Sequence, residues 1–176
     1  MSLTVPDQRR TAHAIKLAQI AQTYLRALLR IRDTNPGPLS MPTAAVALRA
    51  AIHDALAADT PLTNLLGGAK IYDEVPRAVA FPYVTLGEAR ISDWSTASES
   101  GEEHQLTLHA WSRQGGHREA HMIAGALLQA LDDAPLTLAE HRLVNLRFAT
   151  ADIRREADGR TYRAVVRFRA VTEPSS

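Results

Sequence analysis

Residues 102–131 read EEHQLTLHAWSRQGGHREAHMIAGALLQAL, and their hydrophobic period changes half-way along. Leu106, Leu108 and Ala110 alternate with Gln105, Thr107 and His109, the two-residue period of a half-buried strand. Gly115-Gly116 interrupts the pattern and leaves the chain free to turn back. From His117 onward Ala120, Ile123, Ala124, Leu127 and Leu131 recur at steps of three and four, one apolar stripe along a helix. Asp132, Asp133 and Pro135 end that helix, because a proline ring cannot continue it. A strand and a helix joined so closely bury their apolar faces against each other. The stretch predicts a core, and it holds no catalytic signature.

Working outward from it, the chain reads as an α+β domain: a mainly antiparallel sheet of about four to five strands with two helices packed on it, plus an extra N-terminal helix. Thr43–Ala58 is a helix by the four-step recurrence of Leu48, Ile52 and Leu56, and Asp59-Thr60-Pro61 is expected to end it. Lys70–Val75 is expected as a short strand. Tyr83–Ser92 is another, with an alternation too loose to fix its inward face. Pro135–Leu138 is expected as a short strand, and Arg142–Arg155 and Arg160–Thr172 as two long ones. Ala157-Asp158-Gly159 joins the long pair. A two-residue Asp158-Gly159 turn would put their apolar residues on opposite faces. A three-residue loop, 157–159, pairs Phe148 with Phe168 and aligns Val144, Leu146 and Phe148 with Ala164, Val166, Phe168 and Ala170. Gly159 then takes the left-handed conformation. We expect the three-residue loop.

That register puts Arg147, Arg163, Arg167 and Arg169 on the other face of the hairpin, with Ala149, Ala151, Ile153 and Val165 among them. Several arginines on one face can track phosphates, pair with carboxylates across a subunit contact, or stand in solvent. Apolar residues between them favour a face that is partly covered. Trp94, in the polar loop 93–101, is either a partner anchor or folds back over the sheet. These four arginines and Trp94 are the candidate subunit or partner interface.

With 176 residues, 45% of them hydrophobic, the chain suffices for one ordinary domain with its own core. The formal net charge of +1 gives no global electrostatic case for nucleic acid. The absence of cysteine excludes disulfides and thiolate metal sites. No apolar run approaches the roughly 20 residues that span a bilayer, and the N-terminus lacks the pattern of a signal peptide. A soluble product made in the bacterial cytoplasm is therefore expected, with no membrane partner. Residues 1–40 carry six basic residues against two acidic ones, a net of +4 that leaves −3 for the remainder. Within them, residues 8–32 form a basic amphipathic helix by pattern (Leu17, Ile20, Ala21, Tyr24, Leu28, Ile31), suited to a membrane surface, a partner, or packing on its own domain. A Pro/Gly linker, 33–40, follows. The expected division is 1–40 and 41–176, with the working product beginning at Met41.

No constellation supports catalysis. His117 and His121 are four apart on one helix, with His104 and His109 on the preceding strand, a spacing that can share a metal. No HExxH accompanies them, and solvent-facing histidines near a helix start are the simpler reading. Gly67-Gly68 and Gly115-Gly116 lack the partners of a phosphate loop or dinucleotide fingerprint, and no GxSxG is present. No enzyme activity, cofactor or metal is expected.

Four pieces in order, FPYVTLGEA (81–89), LTLHAWSR (106–113) with its GGxxEA (115–120) helix entry, HRLVNLRF (141–148) and DGRTYRAVVRFRAVTE (158–173), resemble the tail-completion (tail terminator) family of long-tailed phages and gene transfer agents. The resemblance spans roughly Met41 to Glu173 and lies nearest the gene-transfer-agent branch. It implies a small structural subunit of a virion tail or gene-transfer-agent particle. Such subunits form a homo-oligomeric, six-fold ring at the head-proximal end of the tail tube. There they cap tube growth and join the head connector, so the implied partners are the tail-tube protein and the head-tail connector protein. DNA is met only as it passes through the ring. Two other readings stand beside it: a head-tail connector or tail-tube subunit of the same particle, and a small regulatory binding domain.

Overall fold

Alternating residues of four long strands bury one side of a five-stranded sheet and give the other side a mixture of arginines, aromatics and valines. The computed structural model describes residues 43–97 and 99–175. The chain divides into two units, 1–40 and 41–176, and the expected N-terminal helix lies outside the described residues. The strands are β1 (Ile71–Tyr72), β2 (Tyr83–Asp93), β3 (Glu102–Ser112), β4 (His141–Arg155) and β5 (Tyr162–Pro174), in the spatial order β1-β2-β3-β5-β4. β1 runs parallel to β2 and every other pair is antiparallel. Among the described residues, three helices, α1 (Ala44–Ala58), α2 (Thr60–Leu66) and α3 (His117–Leu131), pack on one face.

The helix stripes do what their spacing dictates. Leu48, Ile52 and Leu56 of α1 are buried, as are Ala120, Ile123, Ala124, Leu127 and Leu131 of α3. They meet Leu106, Leu108, Ala110, Leu146, Val166 and Phe168 from the sheet in one core. Thr43 caps α1, its Oγ1 accepting from Val46 N at 3.4 Å. Asp59 both stops α1 and starts α2: its carboxylate accepts from Leu62 N at 2.7 Å, and Pro61 sits in the first turn, where a missing N–H costs nothing. The expected terminator is thus also an initiator, and α2 is the helix that the sequence reading missed. Gly67 closes it in the left-handed region, φ 68°.

Pro135–Leu138 forms no strand. The segment turns on itself through Ala134 N→Leu131 O, and Asp133 N donates to Leu146 O at 2.8 Å. Asp132 adds a carboxylate that accepts from Phe148 N, also at 2.8 Å. The end of α3 therefore occupies part of the outer edge of β4, where a strand would otherwise have paired.

Bulges explain what alternation could not. In β2 the register shifts between Leu86 and Ala89, so Val84 and Leu86 before the shift and Ala89 and Ile91 after it share a face. The β4–β5 connection is a four-residue loop, 157–160, closed by Glu156 N→Thr161 O at 2.8 Å, with Gly159 at φ 67°. It is one residue longer than expected, yet Phe148 still pairs with Phe168, because a register shift between Phe148 and Thr150 absorbs the difference. Beyond that shift Ala151 and Ile153 oppose Val166 and Ala164 on the core side, not among the arginines. A second shift, between Leu143 and Asn145, takes Val144 out of the core: it is 38% exposed, and Leu143 packs there instead.

Candidate functional site

The face of the sheet that carries no helix among the described residues, the helix-free face below, follows from the same alternation. Arg163, Val165, Arg167, Arg169 and Val171 of β5 point away from the helices, and Arg147 opposes Arg169 across the β4–β5 pair. Arg154 opposes Arg163 in the same way. Like charges directly opposite repel, and here each has a carboxylate. Arg163 Nε lies 2.7 Å from Glu156 Oε1, with Arg154 Nε 3.7 Å from the same oxygen. Arg167 Nη1 donates to Asp152 Oδ2 at 2.7 Å, and Arg169 Nε to Glu103 Oε2 at 2.8 Å. Arg147 reaches Asp133 Oδ1 at 3.1 Å and Asp132 Oδ1 at 3.7 Å. The hydrogen bond from Arg169 holds the Glu103 carboxyl below its usual range. All four candidate arginines share this face, and each pairs within its own chain. Val165 and Val171 are buried among them, shielded by long side chains whose heads reach water.

At the β1 end of the same face stands an aromatic group that sequence reasoning did not find. Tyr83 contacts Tyr72, Phe81 and Trp111 at centroid distances of 6.2, 5.0 and 6.2 Å. The Arg113 guanidinium lies 4.2 Å over the Phe81 ring, and Arg163 5.2 Å over Trp111. Trp111 Nε1 donates to Thr85 Oγ1 at 3.2 Å. Burial pushes the Tyr83 phenol up, and Arg113 partly offsets it. No single motif marks this group. The signal available was that Tyr83 and Trp111 become cross-strand neighbours once β2 and β3 are paired.

Trp94 is 41% exposed. Its backbone N–H donates to Gly101 O at 2.9 Å, and its ring lies over Gly101, where an added Cβ would come within 3.0 Å of Cε3. It leans on the base of its own loop and still presents nearly half its surface.

The four histidines do not converge. His117 stacks edge-on against Tyr162 at 4.8 Å, and His121 is exposed. His104 is fully buried on the core side, its Nε2 2.8 Å from Thr172 Oγ1. His109 is on the helix-free face, 3.8 Å from Glu88. Burial pushes both His104 and His109 down. Among the described residues no group of three or more His, Cys, Asp or Glu side chains could hold a metal ion, and no helix is long and apolar enough to cross a membrane.

A model of the family "Tail completion protein gp17" matches residues 50–173. The chain belongs to the tail completion protein gp17 family. This is a family of structural phage-tail proteins rather than of enzymes. One relative, "Tail completion protein gp17" of Bacillus phage SPP1, is 29% identical over 91 residues, a match covering 51% of this chain and 66% of that protein. A chain in the solved structure "Virion of native gene transfer agent (GTA) particle" is 35% identical with a TM-score of 0.71, over 74% of this chain and 98% of that one. The tail completion fold thus lies within the described unit, and the helix-free face belongs to it.

Proposed function

We propose that this tail completion protein is a tail terminator: copies close into a ring of six at the head-proximal end of the tail tube, stop its growth and meet the head connector. DNA is contacted only in transit through the ring, and no catalysis is involved. One observation carries the reading. The chain matches a chain from a gene-transfer-agent virion over 98% of that chain's length, at 35% identity. The helix-free face supports it physically, since it offers Arg147, Arg163, Arg167 and Arg169 in ion pairs that are already formed, with buried valines between them. Pairs formed in advance lose less ordering entropy when a neighbour covers them. We include these arginines and Trp94 in the contacts with neighbouring copies, the tail-tube protein or the connector.

Negative-stain electron microscopy of the purified full chain tests the reading. Closed single rings of six are expected. Long tubes would make the protein a tube subunit, and a monomer at every concentration would remove the ring.

A further inference from the structure

The sheet is polarised along its strands. Tyr83 pairs with Trp111 at one end of the β2–β3 ladder and Asp93 with Glu102 at the other, roughly 30 Å apart at about 3.3 Å per residue. The first end carries the Phe81–Tyr83–Trp111 platform with Arg113 and Arg163 on it. The second end is acidic. Asp93, Glu102 and Glu173 line one cavity, and Glu99 and Glu173 another. Of these four carboxylates only Glu173 pairs with a guanidinium among the described residues, that of Arg142. Trp94 stands half-exposed in the loop between Asp93 and Glu102.

We propose that these two ends meet between copies of this chain, the Trp94 loop of one seated on the Phe81–Tyr83–Trp111 platform of the next, with Glu99 and Glu102 facing Arg113 and Arg163. The contact rests on the ring reading and identifies its two patches. Closing a ring requires unlike patches on each copy, and the opposite ends of this sheet are unlike in the complementary sense: an aromatic knob among carboxylates, and an aromatic socket among guanidiniums. Tryptophan, tyrosine and arginine are the residues on which interface energy concentrates. Charge complementarity sets the partner's orientation and register. Single-stranded DNA also stacks on aromatic platforms, but the matching acidic patch is on the chain itself, so a second copy is the occupant that the surface fits.

A mixing experiment with the full chain decides it. Trp94→Ala combined with Glu99→Gln spoils the knob and leaves the socket, whereas Arg113→Glu spoils the socket and leaves the knob. Each variant alone should lose assembly by at least about tenfold, as removal of a hot-spot contact does. Mixed together they should form 1:1 dimers and no rings, because only one good contact remains per pair. Mass photometry reads this, and circular dichroism checks that both variants are folded. Because Arg113 also ties Thr161 in the hairpin loop, Phe81→Ala serves as a second socket variant. Rings from either variant alone, or folded variants that fail to dimerise on mixing, would overturn this contact while wild-type rings kept the terminator reading. A wild-type chain that never assembles would remove both. Loss of single-stranded DNA binding on Arg113→Glu with assembly unchanged would give the platform to nucleic acid instead.

Discussion

On β5, Phe168 and Arg167 are neighbours in sequence and point to opposite faces of the sheet. Phe168 is 1% exposed in the core under the helices, and Arg167 is exposed and tied to Asp152. One face is held by transfer of apolar surface out of water. The other is a carpet of cross-strand arginines kept apart by carboxylates. The difference predicts that the first face sets whether the chain folds and the second sets what the folded chain meets. Phe168→Ala is the largest expected effect, about 3–5 kcal/mol of lost stability, seen as a lower melting temperature by circular dichroism. Its edge-to-face partner Phe148 lies on the same side but is 38% exposed, so Phe148→Ala should cost clearly less. Equal losses would mean that the core extends to the sheet edge.

The helix-free face is not wholly loose, and Gly87 shows where. At the β2 bulge an added Cβ would lie 2.7 Å from His109 Nε2 and 3.0 Å from Thr107 O. Gly87→Ala should therefore cost about 1–3 kcal/mol, the range for overpacking. Adding His109→Ala should recover part of that loss, because neighbours in contact do not behave additively. Strict additivity in chemical denaturation would show that the bulge, and not the histidine, is what the glycine serves.

The two faces differed in how far the sequence disclosed them. The stripes of α1 and α3 and the alternation of β3 were legible, because each rests on a short-range period that burial enforces. The Phe148–Phe168 pair was right although its three-residue loop was not, because the shift after Phe148 offsets the extra residue. Misread positions sit where one residue has two roles or where the period breaks. Asp59 and Pro61 end one helix and begin the next. The register shift after Phe148 moves Ala151 and Ile153 to the core side, and no local signal in Phe148-Ala149-Thr150 announces it. The arginine face was legible as a face, since β5 keeps a strict alternation. Its ion pairs were not, because Glu103, Asp132 and Asp133 come from elements brought alongside only by the fold. The aromatic platform was missed for the same reason.

Acid should separate the faces by another route. His104 is on the core side and His109 on the helix-free side, and burial pushes both below the ordinary value of 6.5. For His104, Glu102 opposes that shift and His141 adds to it, with Thr172 as hydrogen-bond partner. For His109, Arg163 and other arginines add to it and Glu88 opposes it. A depressed histidine binds protons in the unfolded chain before it does so in the folded one. Stability is therefore full above about pH 6.5 and declines as pH falls below it towards the lowered folded values. Denaturation midpoints should fall between pH 7 and pH 5, and His104→Gln should make the fall shallower. A slope unchanged by His104→Gln but flattened by His109→Gln would assign the acid sensitivity to the helix-free face.

The smallest expected effect on stability is also the one that asks most of the helix-free face. The Arg167–Asp152 pair is about half exposed on both sides, and such pairs contribute no more than about 1 kcal/mol. Arg167→Glu should therefore leave the melting temperature within a few degrees of wild type. If this face is covered in the ring, the same substitution should weaken assembly, measured by light scattering and negative-stain images. Asp152 makes the result ambiguous alone, since Arg167→Glu also sets two carboxylates side by side. The double exchange Arg167→Glu with Asp152→Arg restores the pair with its sense reversed. Assembly recovered in the double variant would mean that a neighbour needs only a neutral, ordered face. Assembly still lost would mean that the neighbour reads the Arg167 guanidinium itself. Assembly normal in both would leave this face to solvent or the ring lumen, and the contact would then have to be sought at the two ends of the sheet.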